Sequence, residues 1–260
     1  TPNDGIGLFA YTVPTGAKAL CTANIPDFTP NVDDDNPEDY FKTIVWNGSD
    51  VTAGASGDTS GTPLPVGFNP DLIWIKSRNH NYHHTLYDSV RGYASNKSLI
   101  PDQSYAEATT STGYGHLELD GNNNVLVKNG SESSNLWTAE SGKTYCAWCW
   151  KAGGAPTHDN TATSGAMNAN GSAASSSASS VSIDGVLQSN YTPSGTIYPK
   201  KVSISTKLQF SITKYFGNTT VGATIGHGLN GIPDLVIIKS LGQGGTWLVY
   251  NSTIGAGRVM

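Results

Sequence analysis

With 260 residues and a formal charge of -5, the chain offers no clustered Lys and Arg for phosphates, which excludes nucleic acid and anionic membrane surfaces as partners. Charged residues make up 13% of it, against roughly 25% in ordinary soluble domains, and Gly, Ser, Thr and Asn fill the difference, as suits a β-rich extracellular or virion protein better than a cytosolic enzyme. No apolar run approaches the ~18 residues a membrane-spanning helix needs, and no basic-then-apolar signal region opens the chain.

The first predicted element is Gly7-Leu8-Phe9-Ala10-Tyr11-Thr12-Val13, an apolar strand followed by a Pro14-Thr15-Gly16 turn and a short apolar finish at Ala17 to Leu20. Residues 1–30 are too few to bury a core and read as the end of a preceding module. Gly5-Ile6-Gly7-Leu8-Phe9-Ala10 fits the dinucleotide pattern G-x-G-x-x-A, but no strand precedes it and Pro14 interrupts any helix after it. No cofactor is expected. The acidic run Asp33-Asp34-Asp35-Asn36-Pro37-Glu38-Asp39 lacks the alternate spacing and glycine of a calcium loop. Asn36 as cap and Pro37 at the first helical position predict a single helical turn instead.

Phe41 to Trp46 reads as a strand. The next, Pro70-Asp71-Leu72-Ile73-Trp74-Ile75-Lys76-Ser77, recurs 163 positions later as Pro233-Asp234-Leu235-Val236-Ile237-Ile238-Lys239-Ser240. The match continues without a gap, placing Tyr87, Ser89 and Gly92 on Tyr250, Ser252 and Gly255, so nine of the 23 positions from Pro70 to Gly92 are identical. Two unrelated apolar strands would share Leu, Ile and Lys, but not also a flanking Pro-Asp and a later Tyr-x-Ser-x-x-Gly in register. The chain therefore contains a duplicated structural module. Four successive apolar residues in each copy predict strands covered on both faces and central in their sheets. The recurrence of Asp71 as Asp234 assigns that carboxylate a structural role.

Between this strand and Tyr87 lies Ser77-Arg78-Asn79-His80-Asn81-Tyr82-His83-His84. His80, His83 and His84 form an H-x-x-H-H cluster with metal-ligand chemistry, yet the matching loop of the second copy, Leu241-Gly242-Gln243-Gly244-Gly245, has no histidine. No metal is therefore assigned. Arg78, His80, Tyr82, His83 and His84 are the candidate ligand-binding residues, a variable recognition loop on a fixed scaffold.

From His116 the sequence alternates, with His116, Glu118 and Asp120 on one face and Leu117 and Leu119 on the other. The carboxylate pair beside a histidine matches a glycosidase or metal constellation, but an ordinary solvent face on a half-exposed strand is the better reading. Gly121 to Asn124 makes a turn and Val125-Leu126-Val127 the return strand. Thr144 to Trp150 is aromatic-rich strand, so Cys146 and Cys149 of its C-x-x-C face opposite sides and cannot share a metal. With Cys21 they make three cysteines, too few for a disulfide scaffold.

Gly165 to Ser180 is Gly, Ala, Ser and Asn apart from Met167, a connector. Val181 to Leu187 and Lys201 to Ser205 restore strand character, and Phe210 to Gly217 is the approximate partner of Phe41 to Trp46. The second copy stops soon after Gly255 while the first runs to Trp150, so the chain reads as a piece of something longer. A catalytic serine elbow, a phosphate loop and a metalloprotease helix are all missing. The expected fold is all-β: tandem β-sandwich-like (jelly-roll or lectin-like) modules, with 1–30 a remnant, 31–154 the first module, 155–205 a linker with short strands and 206–260 an incomplete second copy.

Gly7 to Pro26, with its Phe-Ala-Tyr-Thr-x-Pro-x-Gly-x-Lys-Ala-Leu run, resembles the end of the SPRY or concanavalin-like lectin domain of phage fibre proteins. Pro70 to Ser77, Asp88-Ser89-Val90-Arg91-Gly92, Tyr145 to Gly154 and Thr224-Ile225-Gly226-His227-Gly228-Leu229 resemble modules of marine tailed-phage structural proteins. The resemblance implies a non-enzymatic virion component, a tail or capsid fibre acting in host attachment. By analogy with fibres, its partners would be other copies of itself in a homotrimer, other virion proteins and a host surface glycan. A cellular adhesin or surface filament predicts the same composition. A polysaccharide-degrading enzyme using Glu118, Asp120 or Asp71 is the weakest alternative.

Overall fold

The computed structural model describes residues 36–51, 61–107, 112–132, 137–160, 179–189 and 191–255. The N-terminal remnant, Cys21, Asp33 to Asp35 and most of the connector lie outside the described residues. The chain divides into two compact units, Thr1–Pro37 and Glu38–Met260, and all described strands belong to the second. At the boundary Pro37–Asp39 forms a single 3-10 turn, the helical turn that Asn36-Pro37 predicts. Among the described residues no helix is long and apolar enough to cross a membrane. The protein is all-β.

In chain order the first copy contributes β1 (Phe41–Asn47), β2 (Thr62–Pro65), β3 (Leu72–Ser77), β4 (Thr85–Asp88), β5 (His116–Leu119), β6 (Asn124–Lys128) and β7 (Thr144–Trp150). They form two antiparallel sheets, ordered β1-β7-β3-β4 and β2-β6-β5. Alternation decides what each strand buries. In β7 it turns Tyr145, Ala147 and Cys149 inward, where they join Ile73 and Ile75 of β3 in one cluster with Leu117, Val125 and Val127 of the other sheet. That shared core makes a β-sandwich-like module. Trp46 stacks on its cross-strand partner Tyr145, with ring centroids 5.5 Å apart. Pro63 and Pro65 lie in β2, an edge strand, where a missing N–H does least damage.

The remainder adds β8 (Val181–Ile183), β9 (Val186–Leu187), β10 (Lys201–Ser205), β11 (Phe210–Lys214), β12 (Leu235–Ile238) and β13 (Leu248–Asn251). β8 and β9 are joined by Asp184-Gly185, both at positive φ (47° and 85°), as a type I′ hairpin requires. The sheet β11-β10-β8-β9 has a small core of Val181, Val202 and Ile204. Its β10–β11 hairpin spans position 205/206, where the sequence divides linker from second module. Gly153, just past β7, ties this sheet to the first module: its N–H donates to Ser203 Oγ at 2.9 Å and its carbonyl accepts from Ser182 Oγ at 2.5 Å.

The duplication is present in the pairing itself. Leu72↔Asp88 to Ile75↔Thr85 in the first copy becomes Leu235↔Asn251 to Ile238↔Leu248 in the second, the same register at the same offset of 163. The copies differ in what flanks them. β3 lies between β7 and β4, as its apolar run predicts, whereas β12 pairs only with β13 and leaves Leu235 54% exposed. The expectation of a central strand thus holds for β3 and fails for β12, which has no counterpart of β7 beside it among the described residues.

Candidate functional site

The candidate loop is held from below by Lys76, whose Nζ donates to the carbonyls of His80 (3.2 Å) and Tyr82 (2.5 Å). Lys239 repeats the device, donating to Ser240 (3.1 Å) and Gly245 (3.0 Å). Position 245 is 82 shifted by the repeat, so the identical lysine is a loop staple in both copies. The loop's outer arm is fixed to β7: the Arg78 N–H donates to Thr144 O at 2.7 Å, and Asn79 Oδ1 accepts from the Thr144 N–H at 2.9 Å.

On this frame the five candidate residues separate. Arg78 and His80 are exposed, His83 and His84 half-buried, and Tyr82 buried. Tyr82 packs with Ile100 and Trp137 in a small core, its hydroxyl donates to Glu140, and the exposed His80 ring lies on it at 4.1 Å between centroids. Burial makes Tyr82 a support of the loop rather than a contact surface. The three histidines take three different partners. His83 Nδ1 is 2.7 Å from Asp102 Oδ2, and His84 Nδ1 accepts the Trp74 indole N–H at 2.9 Å. Among the described residues no group of three or more His, Cys, Asp or Glu could hold a metal ion.

Asp102 organises the site from outside the loop. Its other oxygen accepts the His84 backbone N–H at 3.0 Å. Burial alone would raise this carboxyl, but the bonds from His83 and the His84 N–H outweigh it and hold the pKa below its usual 3.8. His84 moves down from 6.5, first through burial and then through the Lys76 ammonium, so it is neutral near pH 7 with its proton on Nε2. Trp74, His84, Pro101 and Asp102 line a shallow open cavity of about 180 Å³. Beside it Trp137 stacks on Tyr114 (4.6 Å) and meets the edge of His83 (5.5 Å), and its buried indole N–H has no hydrogen-bond partner among the described residues.

Sequence reading alone does not find Asp102, Trp137 or Tyr114. Asp102 is 18 residues from His84, and its one local signal is an ordinary Pro-Asp turn. The other carboxylates singled out in the sequence are engaged elsewhere. Glu118 lies 3.1 Å from His116 and 3.3 Å from Lys128, and Asp120 accepts from the N–H groups of Asn122 and Asn124 to hold the β5–β6 turn. Cys149 is fully buried, and burial pushes its thiol up to about 12; Cys146 is half-buried on the opposite face of β7. Of the two adjacent lysines Lys200 and Lys201, Lys200 is 8% exposed and donates to Asn160 O at 2.6 Å, and Lys201 is half-buried.

A family model described as "Domain of unknown function (DUF7483)" matches residues 36–192 and again 187–260. The chain belongs to the DUF7483 family. The repeated stretch falls once in each match, Pro70 to Gly92 in the first and Pro233 to Gly255 in the second, and the second DUF7483 segment contains β12 and β13. No curated protein and no solved structure matched the chain.

Proposed function

We propose that this DUF7483 protein is a structural, host-facing component of a phage particle, a tail or capsid fibre that adheres to a surface glycan through the β3–β4 loop of its first copy. One observation carries the reading: the repeat preserves the strands, the register and the lysine staple, while the histidine cluster occurs in only one copy, the second having Trp247 where the first has His84. A scaffold kept constant beneath a loop that diverges is the arrangement of a binding module. The cavity is smaller than the ~300–1,000 Å³ of pockets for drug-sized ligands and suits one sugar ring, with Trp74 as an apolar face and Asp102 and His84 as hydrogen-bond acceptor and donor. Capture of Asp71, Glu118 and Asp120 by structural partners favours binding over hydrolysis.

Glycan-array screening is the test of adhesion. A bound glycan whose affinity falls at least tenfold in His84→Ala supports the reading, and release of cleaved sugar that Glu118→Ala abolishes overturns it in favour of an enzyme. Antibody labelling of native particles tests location. Decorated phage fibres are expected; a decorated cell envelope with no phage present sinks the virion assignment.

A further inference from the structure

The equivalent loops of the two copies reach the same segment of chain. Residues 101–107 leave the buried Ile100 through a turn in which the Gln103 N–H donates to Ile100 O at 3.0 Å, and they end on Glu107, which pairs with Arg91 at 3.0 Å. The β3–β4 loop of the first copy meets this strap at Asp102, through His83 Nδ1 (2.7 Å) and the His84 N–H (3.0 Å). The β12–β13 loop of the second copy meets it just beyond. Trp247 Nε1–H donates to Gln103 O (3.0 Å), Gly245 N–H donates to Ser104 O (2.7 Å), and Leu241 O accepts from Glu107 N–H (2.9 Å).

Leu241, Gly245 and Trp247 stand 163 positions after Arg78, Tyr82 and His84. The loop positions that form the candidate site in the first copy are thus, in the second, the ones that hold the first copy's strap. Trp247 is set by the repeated lysine, whose Nζ lies 5.9 Å from the centre of a Trp247 ring and donates to Gly245 O at 3.0 Å. Asp102 therefore stands on a segment gripped by both copies. The Trp247 bond falls on Gln103, the next residue, so a shift of the second-copy loop passes to the carboxylate through one peptide unit. Supporting contacts of this kind fix the geometry of a binding group.

We propose that the β12–β13 loop is a positioning element of the first copy's ligand site, and that Trp247 is the positioning residue through which it sets Asp102. The inference rests on the glycan reading for the class of ligand only. With the second-copy loop seated, Asp102 is held beside Trp74 and His84, and a ligand does not also have to order it. With that loop released, the strap loses its bonds at Gln103, Ser104 and Glu107, and the hold of His84 on Asp102 loosens. The coupling is reciprocal, so a sugar fixed by Asp102 also firms the second-copy loop.

The test follows backbone amide exchange and the Asp102 carboxyl titration in the whole chain, without ligand, for wild type, Trp247→Phe and Trp247→Ala. Phenylalanine keeps a ring beside Lys239 and removes the N–H donor, which separates positioning from loss of packing in the second copy. Exchange of the His84 N–H is expected to be about threefold faster in Trp247→Phe, the scale of one hydrogen bond, and faster still in Trp247→Ala, with β3 amides at wild-type rates. The Asp102 titration should move up toward 3.8 as the bonds that hold it down are lost. Faster exchange in β12 and β13 with His84 and Asp102 unchanged overturns the proposal, because Trp247 would then serve its own copy alone. So does equal acceleration throughout β3 and β4, or no change anywhere. A blank glycan array strikes the ligand class and leaves these results standing.

Discussion

Asp71 and Asp234 are one residue type at one repeat position in two environments. Asp71, 2% exposed, gathers Ser89, Ala152 and Gly154 on its carboxylate. Removing the carboxyl leaves the Ala152 and Gly154 N–H groups without their acceptor, so Asp71→Ala should cost about 1–3 kcal/mol in urea denaturation, while Asp234→Ala leaves the midpoint unchanged. Burial raises the Asp71 pKa above 3.8 despite those hydrogen bonds. Its contribution is therefore fully present below that value and declines as pH rises through the folded pKa. The stability difference between wild type and Asp71→Ala should accordingly shrink between acid and neutral pH. Arg91 is the second hub: with its side chain 5% exposed, it meets Asp88 at 2.5 Å and Glu107 at 3.0 Å and donates to Lys97 O at 2.6 Å. Arg91→Ala strands the buried Asp88, and denaturation should show a loss of about 3–5 kcal/mol.

Among elements, β7 does most to join the module, because it lies between β1 and β3 and its last residues reach the next sheet. Gly153 makes that junction possible. A Cβ there would strike backbone atoms of Ile204 and Ser182, neither of which is the movable end of a side chain. Gly153→Ala should lower stability by about 1–3 kcal/mol, seen as a lower thermal midpoint. Gly142, where an added Cβ meets nothing, is the contrasting site, limited only by its φ of 77°. The aromatic character of β7 marks it as a strand, and its alternation correctly separates Cys146 from Cys149. Its place between β1 and β3 is not a local property, since its partners are about 100 and 70 residues away.

For the whole molecule, the copies predict unequal order. β3 lies inside a two-sheet core and β12 in a two-stranded sheet with exposed apolar faces. Native-state amide exchange should be slowest in β3 and β7 and faster in β12 by about two orders of magnitude or more. The β12–β13 loop is also held by the first copy, through Gly245 N–H to Ser104 O (2.7 Å), Glu107 N–H to Leu241 O (2.9 Å) and Trp247 Nε1–H to Gln103 O (3.0 Å). Comparable rates in the two strands would mean that these contacts suffice to order it.

The sequence by itself determined the all-β class, the duplication and the face each β7 residue takes. These are one-dimensional properties: alternation of period two, and identity at a fixed offset. Tertiary structure alone decided which carboxylates are engaged, that Tyr82 is core while His80 is surface, and that Asp102 anchors two histidines from 18 and 19 positions away. Each of these depends on which distant segments become neighbours. Strand pairing is chosen by burial and hydrogen bonding over the folded whole, and no local pattern records it.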